Sequence, residues 1–439
     1  MHTRTILSLA LVVAGASAPA AIAQNRPTAP AEVMRAPAGR PPPIIKPGKP
    51  LVGRAAAPWL DRAVVNPNLK FDPKRVQDIL YARRLGDRFT ARLCGKSMGM
   101  AIVAILPSGV SVERSCGQAR SKPDTAPRAM TVDDKFSVAS VSKVFTGVTI
   151  ARLIADRAAK GESISLDSKI KPFLPPAWSY SASFEPTTFR SLLLHKAGVR
   201  CDTEVVYLSL KGCVAKTINP ADIPNQSYNN NNYGLLRLAT SRLGGMPAAT
   251  DAFLTSQEQS GNTAVPAASD ASLFLSHVNK IVFSPAGLPF VFCKQTDAAP
   301  GLSYKSVTDP NNMFDFSNVL PGDPWGDMTL SCGSRGLNLS ARQLAKTMHT
   351  LFHSEKILNA AVRQDLVANG PPFWPADHGA GLTSVSHGGY HPAEMNKGEI
   401  NTMVVQFSNG ISVGMIVNSR FNGNMLGEVA ASIQEASVN

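Results

Sequence analysis

The sequence predicts an α+β fold. Strands from both ends of the chain form one antiparallel sheet flanked by helices, and a mostly helical subdomain is inserted between them. Three observations point there. Met98, Met100, Ile102, Ala104 and Leu106 alternate along one stretch, Pro107-Ser108-Gly109 supplies a turn, and 110–116 returns, which is the pattern of a hairpin. Near the other end, the apolar runs 403–407 and 411–417 flank Ser408-Asn409-Gly410, a second hairpin signal. Between them helical spacing dominates. After Ser140 the residues Val141, Val144, Phe145, Val148, Ile150, Leu153 and Ile154 leave little polar face, the mark of a buried helix, and Gly161 offers a stop.

The remaining elements follow in order. Residues 1–23 have the layout of a secretory signal: Arg4, an apolar run over 6–14, and Ala21-Ile22-Ala23 as an A-x-A cleavage site. That run is short for a membrane span, no cysteine beside it invites a lipid, and no later stretch is apolar for long enough to cross a bilayer. The expectation is a periplasmic or secreted protein with no stable membrane anchor. Residues 24–70, with Pro41-Pro42-Pro43 and Lys46-Pro47-Gly48-Lys49-Pro50, read as a disordered Pro/Ala-rich linker. One domain is expected over 71–439, opening on a helix over 72–84 from the spacing of Val76, Ile79, Leu80 and Ala82.

After the buried helix, 189–195 reads as a short helix ended by Gly198, and 201–213 as a small loop between two cysteines. The polar run 228–233 feeds a helix over 233–242. Residues 250–330 carry few signals beyond the apolar runs 273–275 and 281–283. A helix capped by Ser340 runs through Leu344, Met348 and Leu351, 384–390 is β-like, and 426–436 is a last helix.

The six cysteines, Cys94, Cys116, Cys201, Cys213, Cys293 and Cys332, suit an oxidising compartment. Joining sequence neighbours, 94–116, 201–213 and 293–332, is the simplest pairing. No C-x-x-C or clustered Cys/His spacing is present, so neither a metal nor another cofactor is expected. The net charge of +13 is scattered rather than gathered into a stripe with aromatics, which speaks against nucleic acid as a partner and leaves anionic cell-wall polymers such as peptidoglycan as candidates.

Ser140-Val141-Ser142-Lys143 is an S-x-x-K at the mouth of the buried helix. Residues i and i+3 share a face, so the hydroxyl and the amine project together, beside free N–H groups of a helix N-terminus. These are the parts of an acyl-transfer site. Alone the motif is equally a helix cap with a solvated lysine, and Ser168-Lys169-Ile170-Lys171 repeats it ahead of Pro172 without opening a helix. Gly95-Lys96-Ser97-Met98-Gly99 matches the G-x-S-x-G elbow of α/β-hydrolases, but it precedes a strand where that chemistry needs strand, turn and helix.

Three motifs stand in sequence: Ser140-x-x-Lys143, Tyr228-x-Asn230 and His387-x-Gly389. Their order resembles the penicillin-recognising serine hydrolases, the superfamily of class C β-lactamases, D-alanyl-D-alanine carboxypeptidases, D-aminopeptidases and β-lactamase-like esterases. Phe136 to Thr146 is similar to that family's F-x-x-A-S-x-x-K-x-x-T, and Tyr228 to Leu236 to its Y-S-N-x-x-Y-x-L-L. Leu192 to Gly198 is similar to its L-L-x-H-x-S-G with Ala197 for Ser. Gly336 to Leu344 resembles its G-G-L-x-S-T-x-x-D-L, with Arg335 in place of the first Gly and departures at Ala341 and Gln343.

The resemblance spans about 98–417 and implies a β-lactamase/transpeptidase-like fold. It implies Ser140 as nucleophile, with Lys143 and Tyr228 both open as its base. Asn230 would bind the substrate amide and orient Lys143. The N–H groups of Ser140 and Tyr390 would form the oxyanion site, and Gly389 would let substrate approach the strand. His387 stands where class C β-lactamases carry Lys, and a histidine is only partly charged near neutral pH. His195 is expected to tie loop backbone near the site. The expected function is an exported serine hydrolase cleaving amide or ester bonds of a small-molecule or peptide substrate. A β-lactamase and a non-catalytic cell-wall-binding or sensor protein of the same fold are the alternatives.

Overall fold

The computed structural model describes residues 73–438 apart from 123, 202–204, 224, 309–310, 312, 369–371 and 394–397. The signal segment 1–23 and the linker 24–70 lie outside the described residues. In chain order come α1 (Pro73–Leu93), β1 (Gly99–Ile105), β2 (Ser111–Arg120), β3 (Arg128–Ala129) and β4 (Phe136–Ser137). The helical middle follows: α2 (Ser142–Ala158), α3 (Phe189–Leu193), α4 (Tyr207–Ala215), α5 (Asn230–Leu243), α6 (Ala248–Gln259) and α7 (Ala264–Val278). Then come β5 (Asn338–Leu339), α8 (Ala341–His353), α9 (Ala360–Ala368), β6 (Trp374–Asp377), β7 (Thr383–His391), β8 (Ile400–Phe407), β9 (Ser412–Val417) and α10 (Met425–Ser437).

Seven strands form one antiparallel sheet in the order β3-β2-β1-β9-β8-β7-β6, so the N-terminal hairpin and the C-terminal hairpin meet at β1 and β9, with Met100 opposite Val417 and Ile105 opposite Ser412. Both faces are covered, as the strand pattern requires. On one side Met100, Ile102, Ala104, Met403, Val405, Val413 and Met415 join Leu85 and Phe89 of α1 and Val429 and Ile433 of α10. On the other, Ala101, Val103, Val404 and Ile416 join the core of the helical part. There α8 lies directly on β9: a β-carbon at Gly414 would sit 2.6 Å from the Ala345 nitrogen, so only glycine admits the contact. Ser340 caps α8 through a reciprocal box with Gln343.

Four expectations are corrected. α1 runs on to Leu93, past the 72–84 that its apolar spacing suggested. The segment between Cys201 and Cys213 contains most of α4 rather than a bare loop. α5 starts at Asn230, because the Asn229 side chain accepts the Asn231 N–H and caps the helix inside the polar run. The quiet stretch 250–330 holds α6 and α7. It then becomes a long segment tied down by isolated bridges such as Ser303 to Asp323 and Tyr304 to Glu399. α9 and the short edge strand β6, which contains Pro375, had no sequence signal.

The three disulfides join Cys94 to Cys116, Cys201 to Cys213 and Cys293 to Cys332, with Cα separations of 5.7, 5.9 and 6.0 Å, the pairing of sequence neighbours. Among the described residues no helix is long and apolar enough to cross a membrane.

Candidate active site

β6 pairs with 383–386 of β7, and among the described residues no strand covers the second half of β7 on that edge. The turn that carries Ser140 packs there. Residues 139–141 form one 3₁₀ turn ahead of α2, so Ser140 lies just before the α-helix and Lys143 just inside it. Ala139 takes φ +47, a left-handed value costly for a residue with a β-carbon. Its neighbours hold it there. The Thr402 hydroxyl donates to the Val138 carbonyl at 2.8 Å, the Val138 N–H donates to Leu337 O at 2.8 Å, and the Leu337 N–H donates to Ser142 Oγ at 3.2 Å.

Four side chains from distant parts of the chain converge. Lys143 Nζ lies 2.8 Å from Ser140 Oγ, 2.7 Å from Asn230 Oδ1 and 2.8 Å from the Ser334 carbonyl. The Tyr228 hydroxyl donates to Ser140 Oγ at 2.7 Å. Ser140 is partly exposed, whereas Lys143 is fully buried in α2. Burial first, and the positive charge of Arg335 second, hold Lys143 well below the usual lysine range. A neutral amine has two N–H donors and one lone pair. Asn230 Oδ1 and Ser334 O take the two donors, which leaves the lone pair facing the Ser140 hydroxyl.

Tyr228 exposes half its surface, yet its hydroxyl end is crowded by the site, and desolvation pushes the phenol up to about 12. Lys143 Nζ sits over the Tyr228 ring, 4.9 Å from its centroid, and the hydrogen bonds it makes go to Ser140, Asn230 and Ser334 rather than to the phenol oxygen. The geometry therefore suits a phenol here and not a phenolate.

His195 ties down the loop that carries Tyr228. Its Nδ1 accepts the Asn229 N–H at 3.3 Å, its carbonyl accepts the Ser227 N–H at 2.9 Å, and its ring packs 4.5 Å from that of Tyr228. Burial, then the nearby Lys143, push it down to about 3. His387 differs from its expected state. It is buried, its Nδ1 donates to the Gly388 carbonyl at 2.7 Å, and burial followed by Lys143 lowers it to about 3. It is neutral near neutral pH rather than partly charged, and it makes no hydrogen bond to the four converging side chains.

Gly389 is glycine for a different reason from the one its motif suggested. A β-carbon there would overlap Thr402 Oγ1 and the Val138 carbonyl and sit 3.2 Å from the Ala139 β-carbon, so the strand could not close on the serine turn. Gly388 has open space, with its nearest such neighbour 4.0 Å away. The Tyr390 side chain is half exposed and reaches Glu399 at 3.5 Å, so only its backbone is available to the serine turn. Ser97 is buried just ahead of β1, and its hydroxyl donates to Gly99 O rather than to a basic side chain. Ser168 Oγ accepts the Ser165 N–H in a loop.

Sequence reasoning missed the Ser334 carbonyl, the Thr402 hydroxyl and Ala139. A carbonyl leaves no mark in side-chain identity, and alanine does not announce a positive φ as glycine would.

Residues 88–253, which include Ser140, Lys143, Tyr228 and Asn230, match the Beta-lactamase family model. A D-amino acid amidase from Ochrobactrum anthropi SV3 superposes with a TM-score of 0.57 at 17% identity, over 82% of this chain and 98% of that one. The fold is that of the penicillin-recognising serine hydrolases. A class C β-lactamase from Rhodobacter sphaeroides agrees at 0.57 and 15% identity, covering 82% of this chain and 99% of that one. A penicillin binding protein from Bacillus halodurans agrees at 0.53 and 18%, covering 80% and 98%. A search of curated protein sequences finds no match.

Proposed function

We propose that this chain is an exported serine hydrolase that cleaves amide or ester bonds through an acyl-enzyme on Ser140. One observation carries the reading: Ser140 Oγ is held between an amine at 2.8 Å and a phenol at 2.7 Å. The lone pair of neutral Lys143 takes the Ser140 proton as Oγ attacks the carbonyl carbon. The lysinium so formed is held by Asn230 Oδ1 and Ser334 O but disfavoured by burial and Arg335, so it gives its proton up readily. Tyr228, already donating to Ser140 Oγ, relays that proton to the leaving group. A water attacking the acyl-enzyme by the reverse path regenerates Ser140. Backbone N–H groups of the serine turn and of β7 stabilise the oxyanion.

Amides and esters of D-amino acids and D-alanyl peptides are the favoured substrates. The amidase fold match and the absence of a charge on His387 support this over a β-lactamase. The intact four-residue cluster supports a catalyst over a binding or sensor protein. The three disulfides and the signal-like N-terminus support export. A single domain over 71–439 completes the proposal.

A substrate panel tests it. D-amino-acid amides, p-nitrophenyl esters and D-alanyl-D-alanine peptides are compared with nitrocefin by kcat/KM. At least one amide or ester is expected to exceed nitrocefin. Turnover of nitrocefin alone would establish the β-lactamase alternative, and turnover of none would leave the non-catalytic one.

A further inference from the structure

The serine turn depends on the peptide unit that joins Val138 to Ala139. Such a unit is planar, so its rotation changes ψ of the first residue and φ of the second together. A half-turn would carry Ala139 from φ +47 to the negative φ that alanine prefers, and the chain would then enter Ser140 from another direction. The left-handed alanine therefore persists only while its surroundings stop that rotation.

Buried hydroxyls hold both ends of the unit. At the oxygen end, Thr402 of β8 donates to Val138 O at 2.8 Å. At the nitrogen end, the Ala139 N–H donates to Ser137 Oγ at 3.4 Å, and that oxygen lies 3.3 Å from His391 Nε2 of β7. Thr402, Ser137 and His391 are all buried. Val138 O also accepts the Val141 N–H at 3.1 Å, a bond internal to the turn, whereas the Thr402 bond ties the same carbonyl to the sheet. Thr402 stands opposite Gly389 in the ladder, and a β-carbon on Gly389 would overlap both atoms of this hydrogen bond. The bond thus lies between β8, the serine turn and the strand segment that leads into Tyr390.

We propose that Thr402 is a positioning residue whose hydroxyl locks the Val138–Ala139 peptide unit. The lock keeps Ser140 Oγ aimed between Lys143 and Tyr228 and keeps the Ser140 N–H aligned with that of Tyr390. The proposal rests on the serine-hydrolase reading above and adds to it a side chain that touches none of the four converging ones. A turn released from the lock spends part of its time with Ser140 misdirected. That slows attack on the carbonyl carbon more than it weakens substrate binding, so the effect belongs in kcat rather than KM.

The test measures the rate at which a fluorophosphonate labels Ser140, and kcat and KM on the best ester substrate, alongside urea midpoints. Thr402→Val keeps the shape and removes the donor. It is expected to slow labelling and kcat by roughly tenfold to a hundredfold with KM changed less than threefold. Thr402→Ser keeps the donor and should label within about threefold of the unmodified rate. Ala139→Gly supplies the control that a merely structural role would not move. Glycine accepts positive φ without the clash of a β-carbon, so in that background the loss caused by Thr402→Val should shrink severalfold. Ser137→Ala, which frees the other end of the unit, is read in the same way and serves if Thr402→Val does not fold. Full labelling rate in Thr402→Val, an equal loss in Thr402→Ser, or a loss unchanged by Ala139→Gly would overturn the proposal. An unmodified protein that is not labelled on Ser140 and hydrolyses no ester would instead sink the serine-hydrolase reading.

Discussion

Ser140→Ala is expected to lower kcat/KM by roughly three to six orders of magnitude on any amide or ester that the protein hydrolyses. The hydroxyl is the atom on which Lys143 and Tyr228 converge, and neither can replace it as a nucleophile in this geometry. The fold should survive. Ser140 is partly exposed, and without its oxygen Lys143 keeps Asn230 and Ser334 as partners. A stability loss of about 1 kcal/mol or less is expected, in the range of substitutions away from the core. Steady-state kinetics and a urea melt on the same preparation separate the two effects. Retained turnover contradicts the mechanism, and a large stability loss contradicts the account of the site's packing.

Lys143→Met carries the second large effect, a loss of roughly two to four orders of magnitude in kcat/KM, the range of a positioned general base. The wild-type profile should rise with pH through the depressed lysine value, far below where a solvated lysine titrates. The substitution should remove that limb. Stability gives an independent sign. The folded value lies below the unfolded one, so between the two the unfolded chain binds the extra proton. The cost of burying Lys143 is therefore fully present below the folded value and relieved as pH rises toward 10.5, the ordinary value. Wild-type stability relative to Lys143→Met should grow from neutral to mildly alkaline pH in denaturant melts. A flat difference would mean that Lys143 is charged in the folded protein.

Much of this architecture was legible because its signals are local. The hairpins around Gly109 and Gly410, the nearly all-apolar α2 and the Ser340 cap each rest on residues a few positions apart. That strands from both ends join one sheet followed from having hairpins at both ends, while the pairing of β1 with β9 came only with the structure. What escaped depends on contacts that spacing does not encode. β6 is short and contains a proline, α9 shows little segregation of apolar residues, and the segment after α7 is held by a disulfide and isolated bridges rather than by regular structure.

The site divides in the same way. Ser140, Lys143, Tyr228 and Asn230 were readable as residue types in order. The protonation states were not, because they depend on burial. That is why His387 is neutral, Tyr228 a phenol and Lys143 the stronger candidate base. Arg335 was visible only as a departure from the glycine that its surroundings suggested, and its effect on Lys143 depends on the folded chain.

The most direct test is peptide mass mapping of the wild-type protein after exposure to a fluorophosphonate. The expected result is one adduct, on the peptide containing Ser140, lost in Lys143→Met. An adduct on Ser97, or labelling of Ser140 that is indifferent to Lys143, would contradict the assignment of an activated serine at the mouth of α2.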